Sequence, residues 1–247
     1  MAPYVVSLLF VAALLPVCMA VEFCTENVNN TNSQVCLSGQ CNLTCANNTK
    51  SCDQVCVVKS CPAFSCSSDK CVQRCLVGNC TTIDCTGSKD CSQACQNDCK
   101  HLRCHAEKCT QNCENGGCNL MAKGKRATQI CEENKCDNLN CSSSNSCSQN
   151  CLSKGCGLEC PDPNTKMCQQ NCHKGGCTMR CHAQNCDLSC KGDSCNEIVC
   201  SSTSQNCTQS CQNDCTGMQV CKLTSVSVVH FIYCKSLSRS SFICYFI

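Results

Sequence analysis

A four-cysteine unit, repeated along most of the chain, constrains the fold more than any other feature of this sequence. Residues 136–155, CDNLNCSSSNSCSQNCLSKG, hold four cysteines, a serine-rich loop between the second and third, and a Cys-x-Gln-x-Cys ending. Comparable units recur roughly every 18–21 residues from Cys41 to Asp214. Tandem units of this length are typical of architectures in which each unit packs on its neighbours. We therefore predict a stacked array.

The repeat divides the chain into four parts. Residues 1–20 are predicted to be a signal peptide and 21–40 an incomplete first repeat. Residues 41–221 form the cysteine-rich repeat region, and 222–247 are a non-repeat apolar tail. Units in the repeat region begin near residues 41, 61, 80, 99, 118, 136, 156, 177, 195 and 215.

Cysteine is expected to stabilise this array in place of a conventional core. The chain has 247 residues and 41 cysteines, far above the roughly 8–10% that marks a disulfide scaffold. Leu, Ile, Val and Phe stay well below roughly 20% between Cys24 and Cys221, too few to offset the entropy lost on folding. We expect these side chains to contribute little burial and full reduction to unfold the chain.

Two incomplete units indicate which cysteines are bonded to each other. Alanine occupies both inner cysteine positions of unit 118–135, at Ala122 and Ala127, and Val28 and Asn32 occupy them in the first unit. A lone thiol in a secreted protein would be reactive, so bonded partners should be lost together. The inner cysteines of each full unit are therefore predicted to pair, as Cys45–Cys52, Cys66–Cys71, Cys85–Cys91, Cys104–Cys109, Cys141–Cys147, Cys160–Cys168, Cys181–Cys186 and Cys200–Cys207.

Sequence alone leaves the pairing of the outer cysteines open. They could close within a unit, as Cys136–Cys151, or bridge to the next unit, as Cys151–Cys156. Two antiparallel strands within a unit would bring its first and fourth cysteines together, so we favour closure within the unit. The nearly constant spacing of about five residues between units favours the bridge.

The pattern Cys-x-Gln-x-Cys predicts short strands. With a period of two, Cys147, Gln149 and Cys151 face one side and Ser148 faces the other. Stacked units would align a glutamine ladder between two columns of disulfides, and Leu188 replaces the glutamine in one unit. A helical turn also places residues i and i+4 on one face, but short polar loops leave little room for helix. The predicted fold is an elongated, solenoid-like or beaded array of short strands and turns without a conventional hydrophobic core.

The first twenty residues predict secretion. The apolar run from Val5 to Val17 precedes Cys18 and Ala20, which are small residues suited to signal-peptidase cleavage after Ala20. The run is short for a membrane span, so no stable span is predicted, and a lipoprotein-type anchor at Cys18 is the alternative. Sequons for N-glycosylation occur at Asn29, Asn42, Asn47, Asn79, Asn140 and Asn206. Cysteine is the middle residue of the sequons at Asn79, Asn140 and Asn206, where disulfide closure could compete with glycosylation.

The tail differs in composition from the repeats. Val226 to Tyr233 and Phe242 to Ile247 are apolar and aromatic, but each run is too short to span a membrane. The tail is interpreted either as the artefactual or truncated end of a longer array, or as a segment that docks on a membrane surface or partner. Its cysteines, Cys234 and Cys244, would permit covalent self-association.

Cysteine spacing argues against metal and redox chemistry. No two cysteines are closer than four residues apart, whereas zinc and thiolate sites rely on closer pairs. His105 and His182 occupy equivalent repeat positions, which indicates a copied surface residue. The formal net charge of +2 gives no reason to expect nucleic acid as a partner. We predict no enzyme activity, cofactor or metal.

The remaining functional classes are non-catalytic. A structural role in an extracellular matrix or surface coat is favoured, with an unknown extracellular protein or matrix partner. The alternative is a secreted toxin or protease inhibitor that presents stapled loops, but the inner loops share no recurring Lys, Arg or Leu anchor. Ice binding is a third class, and the residue after the third cysteine is too varied to match a lattice.

Overall fold

Side chains alternate between inward and outward positions in every unit, and the chain folds into β-strands accordingly. The structure, a computed structural model, describes residues 31–212 apart from 38–39, 46–48, 58–59, 98, 116, 135 and 202, together with 218–220, 233–238 and 241–245. This described part contains strands and turns and no helix. The strands are β1 (Thr31–Cys36), β2 (Gln40–Cys45), β3 (Ser51–Cys56), β4 (Ser60–Cys66), β5 (Lys70–Cys75), β6 (Asn79–Cys95), β7 (Cys99–Cys113), β8 (Asn119–Cys131), β9 (Asn138–Cys151), β10 (Gly157–Cys160), β11 (Met167–Cys172), β12 (Thr178–Cys181), β13 (Asn185–Cys190), β14 (Glu197–Cys200), β15 (Asn206–Cys211), β16 (Met218–Val220), β17 (Tyr233–Ser238) and β18 (Ser241–Tyr245).

The strands form a β-solenoid, in which each four-cysteine unit makes one coil. All pairs among β1 to β16 join successive units in parallel, within one 16-stranded sheet. One wall contains β1, β3, β5, β11, β13, β15 and the second halves of β6 to β9; we call it the glutamine wall. The opposite, apolar wall contains β2, β4, β10, β12, β14, β16 and the first halves of β6 to β9. The predicted solenoid of short strands is therefore confirmed.

The register places equivalent residues of successive units beside each other. Between β6 and β7, Cys85 pairs with Cys104, and Cys95 pairs with Cys113. Ala122 continues the column of second cysteines, since it pairs with Cys104 on one side. Each residue type therefore forms a column along the solenoid, with one residue per coil.

The outer cysteines bridge successive units, so the favoured closure within each unit is wrong. Cys151 is bonded to Cys156 and not to Cys136, which is bonded to Cys131. Closure within a unit required an antiparallel hairpin, and the solenoid strands instead pair in parallel with the units before and after. The outer bonds among the described residues are Cys36–Cys41, Cys56–Cys61, Cys75–Cys80, Cys95–Cys99, Cys113–Cys118, Cys131–Cys136, Cys151–Cys156, Cys172–Cys177 and Cys190–Cys195.

A column of buried apolar side chains lines one side of the interior, contrary to our expectation of little burial. Each coil contributes one residue, two positions before its second cysteine or the residue in that place, and these side chains are at most 1% exposed. Alternation in the apolar wall points them inward, opposite the glutamines. The column comprises Leu43, Phe64, Ile83, Leu102, Leu120, Leu139, Leu158, Met179 and Ile198.

The ends of the chain are described in less detail. Residues 1–20, which are predicted to be a signal peptide, residues 21–30 of the first unit and residues 221–232 lie outside the described residues. Within the tail, β17 and β18 pair as an antiparallel hairpin with Cys234 in register with Cys244. No helix long and apolar enough to cross a membrane occurs among the described residues.

Candidate functional site

The most regular feature of the interior is a ladder of glutamine side chains. From Gln54 to Gln170, each glutamine donates from Nε2 to Oε1 of the glutamine in the coil before it, at 2.8–2.9 Å. Seven such bonds follow one another, and all the amides point the same way. The ladder runs through Gln34, Gln54, Gln73, Gln93, Gln111, Gln129, Gln149 and Gln170.

The same amides also cross the interior to the apolar wall. Gln149 Nε2, for example, lies 2.5 Å from the backbone oxygen of Leu139 and 3.0 Å from that of Glu159. Gln149 is fully buried, so each of these bonds satisfies a group that would otherwise be costly to remove from water. The ladder therefore ties successive coils together and ties the two walls to each other.

Leu188 ends the ladder, as its place in the repeat predicted. It pairs in register with Gln170 and with Gln209, so it occupies the next position of the column. Gln170 Oε1 is buried and has no hydrogen-bond partner among the described residues. Gln209 Nε2 lies 3.5 Å from Cys200 Sγ, and its own Oε1 is also unpartnered there.

The inner disulfides flank this ladder at the edge opposite the outer ones. Of the eight predicted inner pairs, the structure contains Cys45–Cys52, Cys66–Cys71, Cys85–Cys91, Cys104–Cys109, Cys141–Cys147, Cys181–Cys186 and Cys200–Cys207. Both edges of the described solenoid are therefore closed covalently in most coils.

The eighth predicted bond, Cys160–Cys168, is not formed in the structure. Both residues are buried thiols, and a hydrogen bond to Cys160 together with burial raises the pKa of Cys168. The loop between them is the longest of the inner loops and contains Pro161 and Pro163. Proline restricts the backbone, so this loop is less free than the others to bring its two sulfurs into bonding geometry.

Several groups of three sulfurs lie within 4.8 Å of one another, but most of these sulfurs are already bonded. Among the described residues, only one such group contains thiols, namely Cys160 and Cys168 beside Cys181. Cys181 is bonded to Cys186 and cannot act as a thiolate ligand. Two thiols alone fall short of the four ligands of a structural zinc site.

The coil formed by unit 118–135 has alanine at both inner cysteine positions, so two methyl groups take the place of the inner disulfide. Ala122 and Ala127 are 0% and 3% exposed, and they pair in register with Cys141 and Cys147 of the next coil. The outer bonds Cys113–Cys118 and Cys131–Cys136 remain. The corresponding positions of the first unit are Val28, which lies outside the described residues, and Asn32, which pairs with Cys52.

The sequons lie at different degrees of exposure. Asn42, Asn79 and Asn206 are exposed, and Asn140 is half-buried. The cysteines inside three sequons are all bonded, as Cys75–Cys80, Cys141–Cys147 and Cys200–Cys207. Asn29 and Asn47 lie outside the described residues.

The outer surfaces carry polar and charged side chains in mixed order. His105 and His182 are both exposed, and His101 and Arg103 line a groove of about 290 Å³ on the apolar wall. Opposite charges meet between coils, as in Arg180 with Glu197 at 2.8 Å. These groups are solvent-exposed, so each such pair contributes only about 0–1 kcal/mol.

Two ion pairs shift the pKa values of their members. The hydrogen bond and charge of Glu197 raise the pKa of Arg180. Lys154 donates to Asp193 at 2.6 Å and thereby lowers the pKa of that carboxyl. Because the pKa of Asp193 is lower in the folded than in the unfolded chain, its ionised carboxylate stabilises the fold at pH values above the unfolded pKa. This contribution is lost as the pH falls through the folded pKa and Asp193 becomes protonated.

Comparison of the chain with protein-family models, with curated proteins and with solved structures gives no match.

Proposed function

We propose that this chain is a secreted structural protein, which serves as a rigid, covalently locked element of an extracellular matrix or surface coat. The observation that carries the proposal is the closure of both solenoid edges by disulfides in consecutive coils. Cys141–Cys147 closes one edge of a coil and Cys151–Cys156 closes the other, with the glutamine ladder between them. Disulfides at this density persist in oxidising compartments outside the cytosol.

The geometry suits a rod. Parallel neighbours in a sheet lie about 4.8 Å apart, so a stack of about ten coils extends roughly 45 Å along its axis. Each coil contacts mainly its neighbours, and length can grow by adding units. Repetition of one unit supports a role in which length and stiffness matter more than a single distinctive site.

The alternative, a toxin or inhibitor with presented loops, receives less support. An inhibitory loop must offer its backbone to a partner, whereas the serine loop Ser142–Ser146 lies inside β9. Ser142 pairs with Lys123 of the previous coil, and Ser146 pairs with Met167 of the next. The inner loops of β6 to β9 are in this way part of the sheet, which favours a structural role.

Sequential extraction of the source tissue tests this proposal. We expect the protein to resist salt, and then denaturant without reductant, and to dissolve in denaturant with reductant. Its partner would be another extracellular protein or matrix polymer, or a second copy bonded through Cys234 or Cys244. Recovery as a monomer in the salt extract, with protease-inhibitory activity, would support the alternative.

A further inference from the structure

The coil with alanine at both inner cysteine positions contains the only adjacent Lys/Arg pair in the sequence, Lys125 and Arg126. They end the segment Lys123-Gly124-Lys125-Arg126, which fills the space between Ala122 and Ala127. We propose that the Arg126–Ala127 bond is a processing site for an endoprotease that recognises paired basic residues. The absence of an inner disulfide between positions 122 and 127 is what permits the cut.

The basic side chains of this segment are available at the surface. Lys123, Lys125 and Arg126 are exposed, and the Lys125 side chain retains 58% of its accessible area. Lys125 lies 3.0 Å from Glu107, in an exposed pair that a protease subsite could replace at little cost. The acidic subsites of such a protease could therefore contact the side chains of both Lys125 and Arg126.

The backbone of the segment is held less regularly than the strands beside it. The pairing of β8 with β9 shifts register between Gly124 and Arg126. A Cβ built on Gly124 would lie 1.7 Å from the Ala106 backbone oxygen, so only glycine fits this approach. Ala127 is 3% exposed, so the segment must leave the sheet locally before a protease can bind it.

The missing inner disulfide makes local opening of the segment between Ala122 and Ala127 easier. In the neighbouring coil, Cys104–Cys109 closes an inner loop that also has four residues between its ends. Opening that loop strains a covalent ring, whereas Ala122 and Ala127 can separate without breaking a bond. The segment is therefore the inner loop in which local opening is easiest among those of similar length.

The consequence of the cut also differs from that of other loops. Hydrolysis of Arg126–Ala127 consumes one water and leaves a carboxylate on Arg126 and an ammonium group on Ala127. No disulfide among the described residues joins the chain before this bond to the chain after it, since Cys113–Cys118 and Cys131–Cys136 lie on either side. A cut after exposed Lys108 would instead leave its two parts joined by Cys104–Cys109.

The experiment uses the full secreted chain, with its native disulfides, and an endoprotease that requires paired basic residues. Products are separated by denaturing electrophoresis without reductant, and the new amino terminus is sequenced. We expect two separated fragments and a new terminus at Ala127-Thr128-Gln129. The Arg126→Gln variant should abolish the cut, because this exposed side chain supplies the residue before the scissile bond.

The role of the absent disulfide is tested by the double variant Ala122→Cys with Ala127→Cys, which can form the inner bond. The control is the double variant Ala122→Ser with Ala127→Ser, which cannot. Formation of the new bond, verified by mass, should slow cleavage at least about tenfold and keep the parts joined until reduction. The serine variant, with side chains of similar size and no bond, should be cut as fast as the parent or faster. Failure of the parent to be cut at Arg126–Ala127 would overturn the proposal, as would equal rates in the cysteine and serine variants.

Discussion

Leu188 stacks directly on Gln170 in the interior of the solenoid and leaves Gln170 Oε1 buried without a partner among the described residues. Every glutamine from Gln34 to Gln149 accepts a hydrogen bond from the next coil, and Gln170 is the first that does not. The ladder is thus a finite chain of amides whose last acceptor is unsatisfied.

Exchanging glutamine and leucine in opposite directions tests the ladder. Gln149→Leu removes the donor to Gln129 Oε1 and two bonds to the apolar wall, so we expect a loss of about 2–3 kcal/mol. Leu188→Gln supplies a donor to Gln170 and an acceptor for Gln209, and these offset the lost apolar burial. We expect it to be neutral or to stabilise by up to about 1 kcal/mol.

Guanidinium unfolding with the disulfides intact, followed by circular dichroism, measures both changes. Equal destabilisation by the two substitutions would show that the hydrogen bonds between glutamine side chains do not contribute to stability, and that this column accepts leucine and glutamine equally.

Reduction should unfold the protein without another denaturant. Each small loop closure contributes roughly 2.5 kcal/mol in the chain-entropy model, and closures of both kinds recur in successive coils. We expect a thiol reductant at neutral pH to abolish the strand signal in circular dichroism and increase the hydrodynamic radius. Retention of both properties after complete reduction would show that the ladder and the apolar column suffice.

The apolar column should contribute measurably beside the disulfides. Leu139 is fully buried, so Leu139→Ala should cost about 2–4 kcal/mol of unfolding free energy through lost burial and a cavity. Met121 lies in the neighbouring coil with half of its surface exposed, and Met121→Ala should cost less than about 0.5 kcal/mol. Similar values from thermal unfolding of the two variants would contradict the assigned interior.

Cys160 and Cys168 should behave differently from a bonded inner pair. We expect the double serine substitution of Cys160 and Cys168 to destabilise the chain much less than that of Cys141 and Cys147, because only the latter removes a bond. Burial and the raised pKa of Cys168 predict slow alkylation at pH 8 in the folded protein. Recovery of Cys160 and Cys168 as a disulfide-linked peptide, with equal costs for both double substitutions, would contradict this assignment.

The sequence allowed the solenoid to be predicted because its strongest pattern is also its main structural rule. Alternation in Cys147-Ser-Gln149-Asn-Cys151 places sulfur and amide inside, and the burial of this strand follows it. The paired loss of cysteines at Ala122 and Ala127 indicated the inner bonds because loss of one bonded partner alone would leave a reactive thiol. Both inferences depend on local spacing alone.

The outer bonds and the apolar column required knowledge of how units stack. Cys151 could reach Cys136 only in an antiparallel hairpin. The constant spacing between units favoured the bridge, but it did not by itself exclude that hairpin. Leu139, two residues before Cys141, repeats the alternation seen around Gln149, and this signal could have located the second wall. Its residue type varies among Leu, Ile, Phe and Met, which conceals the column in a search for identical residues.

Disulfide mapping by mass spectrometry, on protein purified under thiol-blocked and non-reducing conditions, tests the stapled solenoid most directly. We expect peptides that join Cys131 to Cys136 and Cys151 to Cys156, together with a peptide that contains the inner bond Cys141–Cys147. A peptide that joins Cys136 to Cys151 would mean that each unit closes on itself, and this would contradict the parallel stacking of coils.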